Sequence, residues 1–208
     1  ITNTWLHLTA DHVEVMGGVK GENIFIHARS ERDRDASRPH QAVDNTGTIT
    51  IHGDVELLDG QIGAPGTSSV IINGHVAMLQ QSQTVDRGGG FITAQNVCVT
   101  GDYYNQNGGL VLADNFTVGR DLLGGGMRSH IYTQPGADGI YPGRTLVGRN
   151  FNMWGANMTN GEISVGGDVN ARGVVFSQQR SAQPVTEQDL DCGTPNVGSI
   201  RPVAERRL

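Results

Sequence analysis

Four aspartates, Asp54, Asp102, Asp121 and Asp168, are the side chains best suited by type to acid–base chemistry. Two carboxylates set roughly 5–10 Å apart can divide the work of general acid and general base, as in glycoside hydrolysis. Asp102 and Asp121 are 19 residues apart, with Arg120 beside the second. That spacing equals one structural repeat of the chain and does not in itself indicate catalysis. Asp54 and Asp168 each lie between a glycine and a valine, and a role at a chain corner already explains them. Histidines at 7, 12, 27, 40, 52, 75 and 130 form a second set. His12, His52 and His75 could approach one another on stacked corners, but a metal site needs three or four convergent ligands. A ladder of hydrogen-bonded corner side chains accounts for them more simply, so no metal is expected. The third set is Arg128, Tyr132, Tyr141 and Arg144, in a stretch rich in Gly and Pro. Arginine and tyrosine on a loop can stack on a sugar ring and hydrogen-bond its hydroxyls. These four are the candidate ligand-binding residues.

The sequence contains no G-x-x-x-x-G-K-[ST], H-E-x-x-H, EF-hand loop or G-x-S-x-G element. Gly88-Gly89-Gly90 and Gly124-Gly125-Gly126 are followed by no helical pattern, so they read as tight turns and not as phosphate loops. No catalytic residue and no cofactor is expected. Two cysteines make neither a disulfide framework nor a zinc site on their own. Cys98, between Val97 and Val99, reads as a buried, inert thiol. Cys192 lies in a polar stretch and is the one free to pair. The spacing leaves open whether the two meet.

The elements that must position these residues are short strands. Of 208 residues 30 are glycine, twice the usual share of ~7%. Charged residues make up 17% and the net charge is −6, with Lys20 the only lysine. A general nucleic-acid binder needs a basic field to neutralise phosphates, so DNA and RNA are not expected partners. No apolar run approaches the ~20 residues of a membrane helix, and no membrane insertion is expected.

A degenerate repeat runs through the chain. Ile49 to Leu57, Val70 to Met78, Ile92 to Val99, Leu110 to Val118, Leu146 to Met153 and Ile163 to Ala171 share one form. Each reads as a short strand, a polar corner and a second short strand; Leu8 to Val15 is an early copy. Taking the Asp, Asn or His before the second strand as a mark gives positions 12, 54, 75, 96, 115, 150 and 168. The steps are 42, 21, 21, 19, 35 and 18. The 42 reads as two periods, and the 35 as nearly two with a degraded unit around Ser129-His130-Ile131-Tyr132. Gly and Asn tolerate the positive φ that sharp corners demand. Apolar residues alternate because one face of each strand looks inward. No 3.6-residue period competes.

The expected fold is all-β: a right-handed parallel β-helix, or β-solenoid, with turns of about 18–21 residues. It would occupy residues 1–180, with excursions near 28–45 and 124–144. A linker-like tail at 181–208 would lead to a further C-terminal segment. Asp54, His75, Asn96, Asn115, Asn150 and Asp168 are expected to stack as a structural corner ladder.

Gly166-Gly167-Asp168-Val169-Asn170-Ala171-Arg172-Gly173 resembles the repeats of β-helical, filamentous-haemagglutinin-like adhesins. More narrowly, Asn170 to Leu208 is similar to the end of the constant region of shufflon-type minor pilins, the tip adhesins of type IVb conjugative pili. The carrying motif is Cys192-Gly193-Thr194-Pro195-Asn196-Val197-Gly198, with Arg201 beyond. Val197 between Asn196 and Gly198 departs from that family's pattern. So does the lack of a second cysteine after Cys192, and no hydrophobic pilin helix occurs in the sequence. The resemblance implies an extracellular protein of the pilus tip or bacterial surface. Its partners would be other pilus subunits and a cell-surface glycan such as lipopolysaccharide. The segment setting recipient specificity would lie beyond Leu208. A polysaccharide-degrading β-helix enzyme and a self-assembling structural solenoid are the alternatives.

Overall fold

The computed structural model describes residues 1–3, 5–28, 47–64, 67–79, 90–106, 109–125, 130–133, 143–159, 162–177, 190 and 192. Among them the chain is all-β, and every strand pairing is parallel. The strands, numbered along the chain, form three columns. The first holds β1 (Thr2–Asn3), β4 (Val19–Gly21), β7 (Val55–Leu57), β10 (Val76–Met78), β12 (Tyr103–Gln106), β14 (Leu122–Gly125), β17 (Phe151–Trp154) and β20 (Val169–Arg172). The second holds β2 (Leu6–Ala10), β5 (Ile24–Ala28), β8 (Gly60–Gly63), β15 (His130–Thr133), β18 (Asn157–Thr159) and β21 (Val175–Ser177). The third holds β3 (His12–Val15), β6 (Gly47–Ile51), β9 (Thr67–Ile72), β16 (Arg144–Val147) and β19 (Glu162–Val165). Two long strands, β11 (Phe91–Val99) and β13 (Leu110–Val118), run through the second and third columns without a break. The chain visits the columns in one fixed order: first, second, third, then first again.

Alternation builds the core. In β5 and β6 every second residue is buried, and the buried positions lie in register from strand to strand. Val19, Val55, Val76, Tyr103, Leu122 and Phe151 form one inward row. Ile26, Ile62, Ile92, Val111, Ile131 and Met158 form another. Val15, Ile51, Ile72, Val99, Val118 and Val147 form the third. β-branched residues suit these positions because they pack well on a pleated, half-buried surface. Burying each such side chain contributes roughly 1.5–3 kcal/mol against conformational entropy.

The spacing differs from the sequence-based expectation. Lys20 meets Glu56, 36 residues on, in a single strand pairing. The 42-residue step is therefore not two periods: one long turn carries the segment that lies outside the described residues at 29–46. Likewise Asp121 meets Asn150 across 29 residues. His130–Thr133 is β15 in the second column of that same turn, not a hidden extra unit. Other steps of 21, 27, 19 and 18 residues complete the series. Gly124 and Gly125, expected in a tight turn, belong to β14 at positive φ. A Cβ there would strike the carbonyl oxygens of Asn105 and Trp154.

Candidate functional site

The polar side chains concentrate at the corner that leads into the first column. A glycine precedes each corner by one or two residues: Gly53, Gly74, Gly101, Gly119, Gly148 and Gly166. Their backbones stack so closely that a Cβ on Gly101 would sit 2.6 Å from the carbonyl oxygen of Gly74. The residue that enters the strand then reaches across to the following turn. The His75 N–H donates to Asp54 Oδ1 at 2.8 Å. The Asp102 N–H donates to His75 Nδ1 at 3.0 Å, and the Asp121 N–H to Asp102 Oδ1 at 3.1 Å. The Asn150 N–H donates to Asp121 Oδ1 at 2.9 Å, and the Asp168 N–H to Asn150 Oδ1 at 3.0 Å. Five consecutive corner amides are thus satisfied by acceptors on the preceding turn. The next residue of each turn donates instead to the carbonyl of the following corner, as Val76 does to Asp102 at 2.8 Å. Corner N–H groups that no strand ladder reaches thereby avoid a desolvation cost.

This ladder overlaps the expected one without matching it. Asp54, His75, Asn150 and Asp168 stand on it. Asn96 and Asn115 do not. They lie inside β11 and β13, where the second column passes into the third, and Asn115 Nδ2 donates to Asn96 Oδ1 at 2.9 Å. Their places in the ladder are taken by Asp102 and Asp121, the pair singled out above for acid–base chemistry. The Gly-then-polar-then-apolar pattern at Gly101-Asp102-Tyr103 carries the missed signal.

Asp102 has basic side chains within ion-pair range. Asp102 Oδ2 is 3.1 Å from His75 Nδ1, and Asp102 Oδ1 is 3.5 Å from Arg120 Nε. The Arg120 contact is an ion-pair approach without hydrogen-bond geometry among the described residues. Accepting the Asp102 N–H at Nδ1 requires the His75 tautomer that carries its proton on Nε2. Beside the ladder, on the outer face of the first column, lies an open hollow of about 360 Å³. Ala77 leaves room between Glu56 and Tyr104, its register neighbours, and His75 and Asp102 stand at the rim. Glu56 is held by Lys20 at 2.9 Å.

The histidines separate instead of converging. His52 Nε2 meets Glu14 Oε1 at 2.9 Å while Asn73 Nδ2 donates to its Nδ1 at 3.3 Å. His12 Nδ1 meets Thr48 Oγ1 at 2.9 Å. His7 and His27 pack edge-to-face with Phe25 on the outer second column. Among the described residues no three His, Cys, Asp or Glu side chains could hold a metal together. Of the loop candidates, Arg128 and Tyr141 lie outside the described residues. Tyr132 is in β15, in register with Leu112 and Thr159. Arg144 opens β16 and donates from Nε to Glu162 Oε1 at 3.1 Å, an oxygen that also accepts from Ser164 Oγ at 2.9 Å.

Cys98 is not an inert buried thiol. Val97 and Val99 point inward and are buried, so alternation turns Cys98 out to the flank of the third column. There it forms a disulfide with Cys192, 94 residues later. Inside the core, the Tyr103 hydroxyl has no hydrogen-bond partner among the described residues. Its ring packs edge-on to Phe116, 5.2 Å away, and burial pushes the phenol above its ordinary range. Burial also raises the carboxyl of Asp114, in β13.

No helix among the described residues is long and apolar enough to cross a membrane. No family model, curated protein or solved structure matches the chain.

Proposed function

We propose that this chain is the body of an extracellular adhesin of a pilus tip or bacterial surface, built to present rather than to catalyse. In this reading the three columns are the sides of a right-handed parallel β-helix, since parallel crossovers strongly favour the right hand. The observation that carries the proposal is the corner ladder. Asp54, Asp102 and Asp121 each accept a backbone N–H of the next turn. Carboxylates engaged in holding turns together are poorly placed to act as general acid and base, which weighs against a polysaccharide-degrading enzyme. The disulfide suits an oxidising location outside the cytosol. The partners would be a cell-surface glycan such as lipopolysaccharide, met by Arg128, Tyr132, Tyr141 and Arg144, and other pilus subunits.

The test is to pass the purified chain over immobilised lipopolysaccharide and acidic polysaccharides while assaying the same glycans for shortening. Retention without shorter products is the expected result. Shorter products would overturn the reading and return attention to Asp102 and Asp121. Absence of retention would remove glycan recognition from these residues.

A further inference from the structure

The outer face of the third column is covered where alternation alone would leave it open. Cys98, Thr117, Leu146 and Ser164 form one row across β11, β13, β16 and β19. The row faces outward, since Val97, Val99, Phe116, Val118 and Val147 fill the inward positions beside it. Yet Leu146 is only 7% exposed and Ser164 only 2%. Leu190 lies at this face: its Cδ1 is 2.8 Å from where a Cβ on Gly148 would stand, so the glycine makes room for it. Cys192 is bonded to Cys98, two strands nearer the start of the stack. Leu190 thus lies at the end of β16 and Cys192 at β11.

We infer that the Cys98–Cys192 disulfide is a redox latch that holds the chain at Leu190 and Cys192 against the flank of the third column. The latch ties Cys192 to β11, while Leu190 lies at the end of β16. The inference rests on this geometry and stands whether or not the chain is an adhesin. Both cysteines are half-buried, not sealed, so a dithiol can reach them. One thiolate of the dithiol attacks a sulfur of the bridge and forms a mixed disulfide. Its second thiolate then displaces the remaining cysteine. Cys98 and Cys192 are left as thiols and the dithiol is oxidised to its own disulfide. Besides the bridge, each column has its own strand pairings and inward rows, so the columns are expected to stay folded without it.

The test is hydrogen exchange on the full chain, oxidised and after treatment with dithiothreitol, read at the peptide containing Leu190 and Cys192. Reduction is expected to speed exchange there by at least ~10-fold while β11, β13 and β16 keep their protection. The double variant Cys98→Ser with Cys192→Ser should reproduce this without reductant. Unchanged exchange around Leu190 would overturn the inference, because packing alone would then hold the segment. Loss of protection throughout the columns would also overturn it, because the bridge would then be a staple of the whole fold.

Discussion

Replacing Tyr103 with phenylalanine removes a polar group from the core and is expected to stabilise the protein. The side chain is fully buried, and its hydroxyl finds no partner among the described residues. An unsatisfied buried hydroxyl costs about 1–3 kcal/mol. Removing one oxygen leaves a void of roughly 10–15 Å³, worth about 0.3 kcal/mol at ~24 cal/mol per Å³. The edge-on contact with Phe116 survives the change. The net expectation is a gain of about 1–2 kcal/mol, read as a higher urea midpoint at unchanged m. A second signature follows from ionisation. Burial raises the phenol in the folded state above the ordinary value of 10.0. Above about pH 10 the unfolded chain releases this proton and the folded chain retains it. The stability contribution is therefore intact below pH ~10 and lost as pH rises further, by about 1.4 kcal/mol per unit. Tyr103→Phe should remove that alkaline slope. A variant less stable than the parent by more than about 0.5 kcal/mol, or one with the same slope, would refute the reasoning.

Four further outcomes follow from the ladder and its surroundings. His75→Ala should lower stability by about 0.5–1.5 kcal/mol, whereas His75→Asn, which keeps an acceptor, should lose less than half of that; chemical denaturation of the two side by side decides it. Asp102→Asn and Asp121→Asn keep the rung oxygens, so both should fold with midpoints within about 0.5 kcal/mol of the parent, while Asp102→Ala costs more. Asp114→Asn should be slightly stabilising at neutral pH, because burial raises the carboxyl; the advantage should vanish as pH falls through the carboxylate range and the aspartate itself becomes neutral. Gly124→Ala meets both a positive φ and the Asn105 carbonyl, and should cost roughly 2–4 kcal/mol in thermal or urea unfolding.

Much of the strand pattern is legible in the residues. Ile24-Phe25-Ile26 and Ile49-Thr50-Ile51 alternate plainly, and each proves buried at its first and third residues. The parallel arrangement follows from repeating one such unit many times with no helix between copies. The registers are harder to read. Asn96 before Val97 looks like His75 before Val76, yet one stands inside a long strand and the other at a corner. The distinguishing mark is the glycine, present at Gly74 and replaced by Gln95 in the other copy. Long turns of 36 and 29 residues imitate doubled periods, because a loop adds length without adding a strand to each column. Cys98 misleads for a different reason. Two valine neighbours suggest burial by composition, but strict alternation makes their shared neighbour face outward. Nothing in the spacing joins Cys98 to Cys192 across 94 residues; the pairing depends on where the chain goes after β21.

The most direct test of the account is amide hydrogen exchange, resolved by residue, at His75, Asp102, Asp121, Asn150 and Asp168. These five N–H groups sit at exposed or half-exposed corners, yet each is bonded to a side chain of the preceding turn. All five are expected to be protected at least ~100-fold over an unstructured chain. The His75→Ala variant should lose protection at Asp102 while Asn150 and Asp168 keep theirs. Exchange at all five corners near the unstructured rate would contradict the ladder.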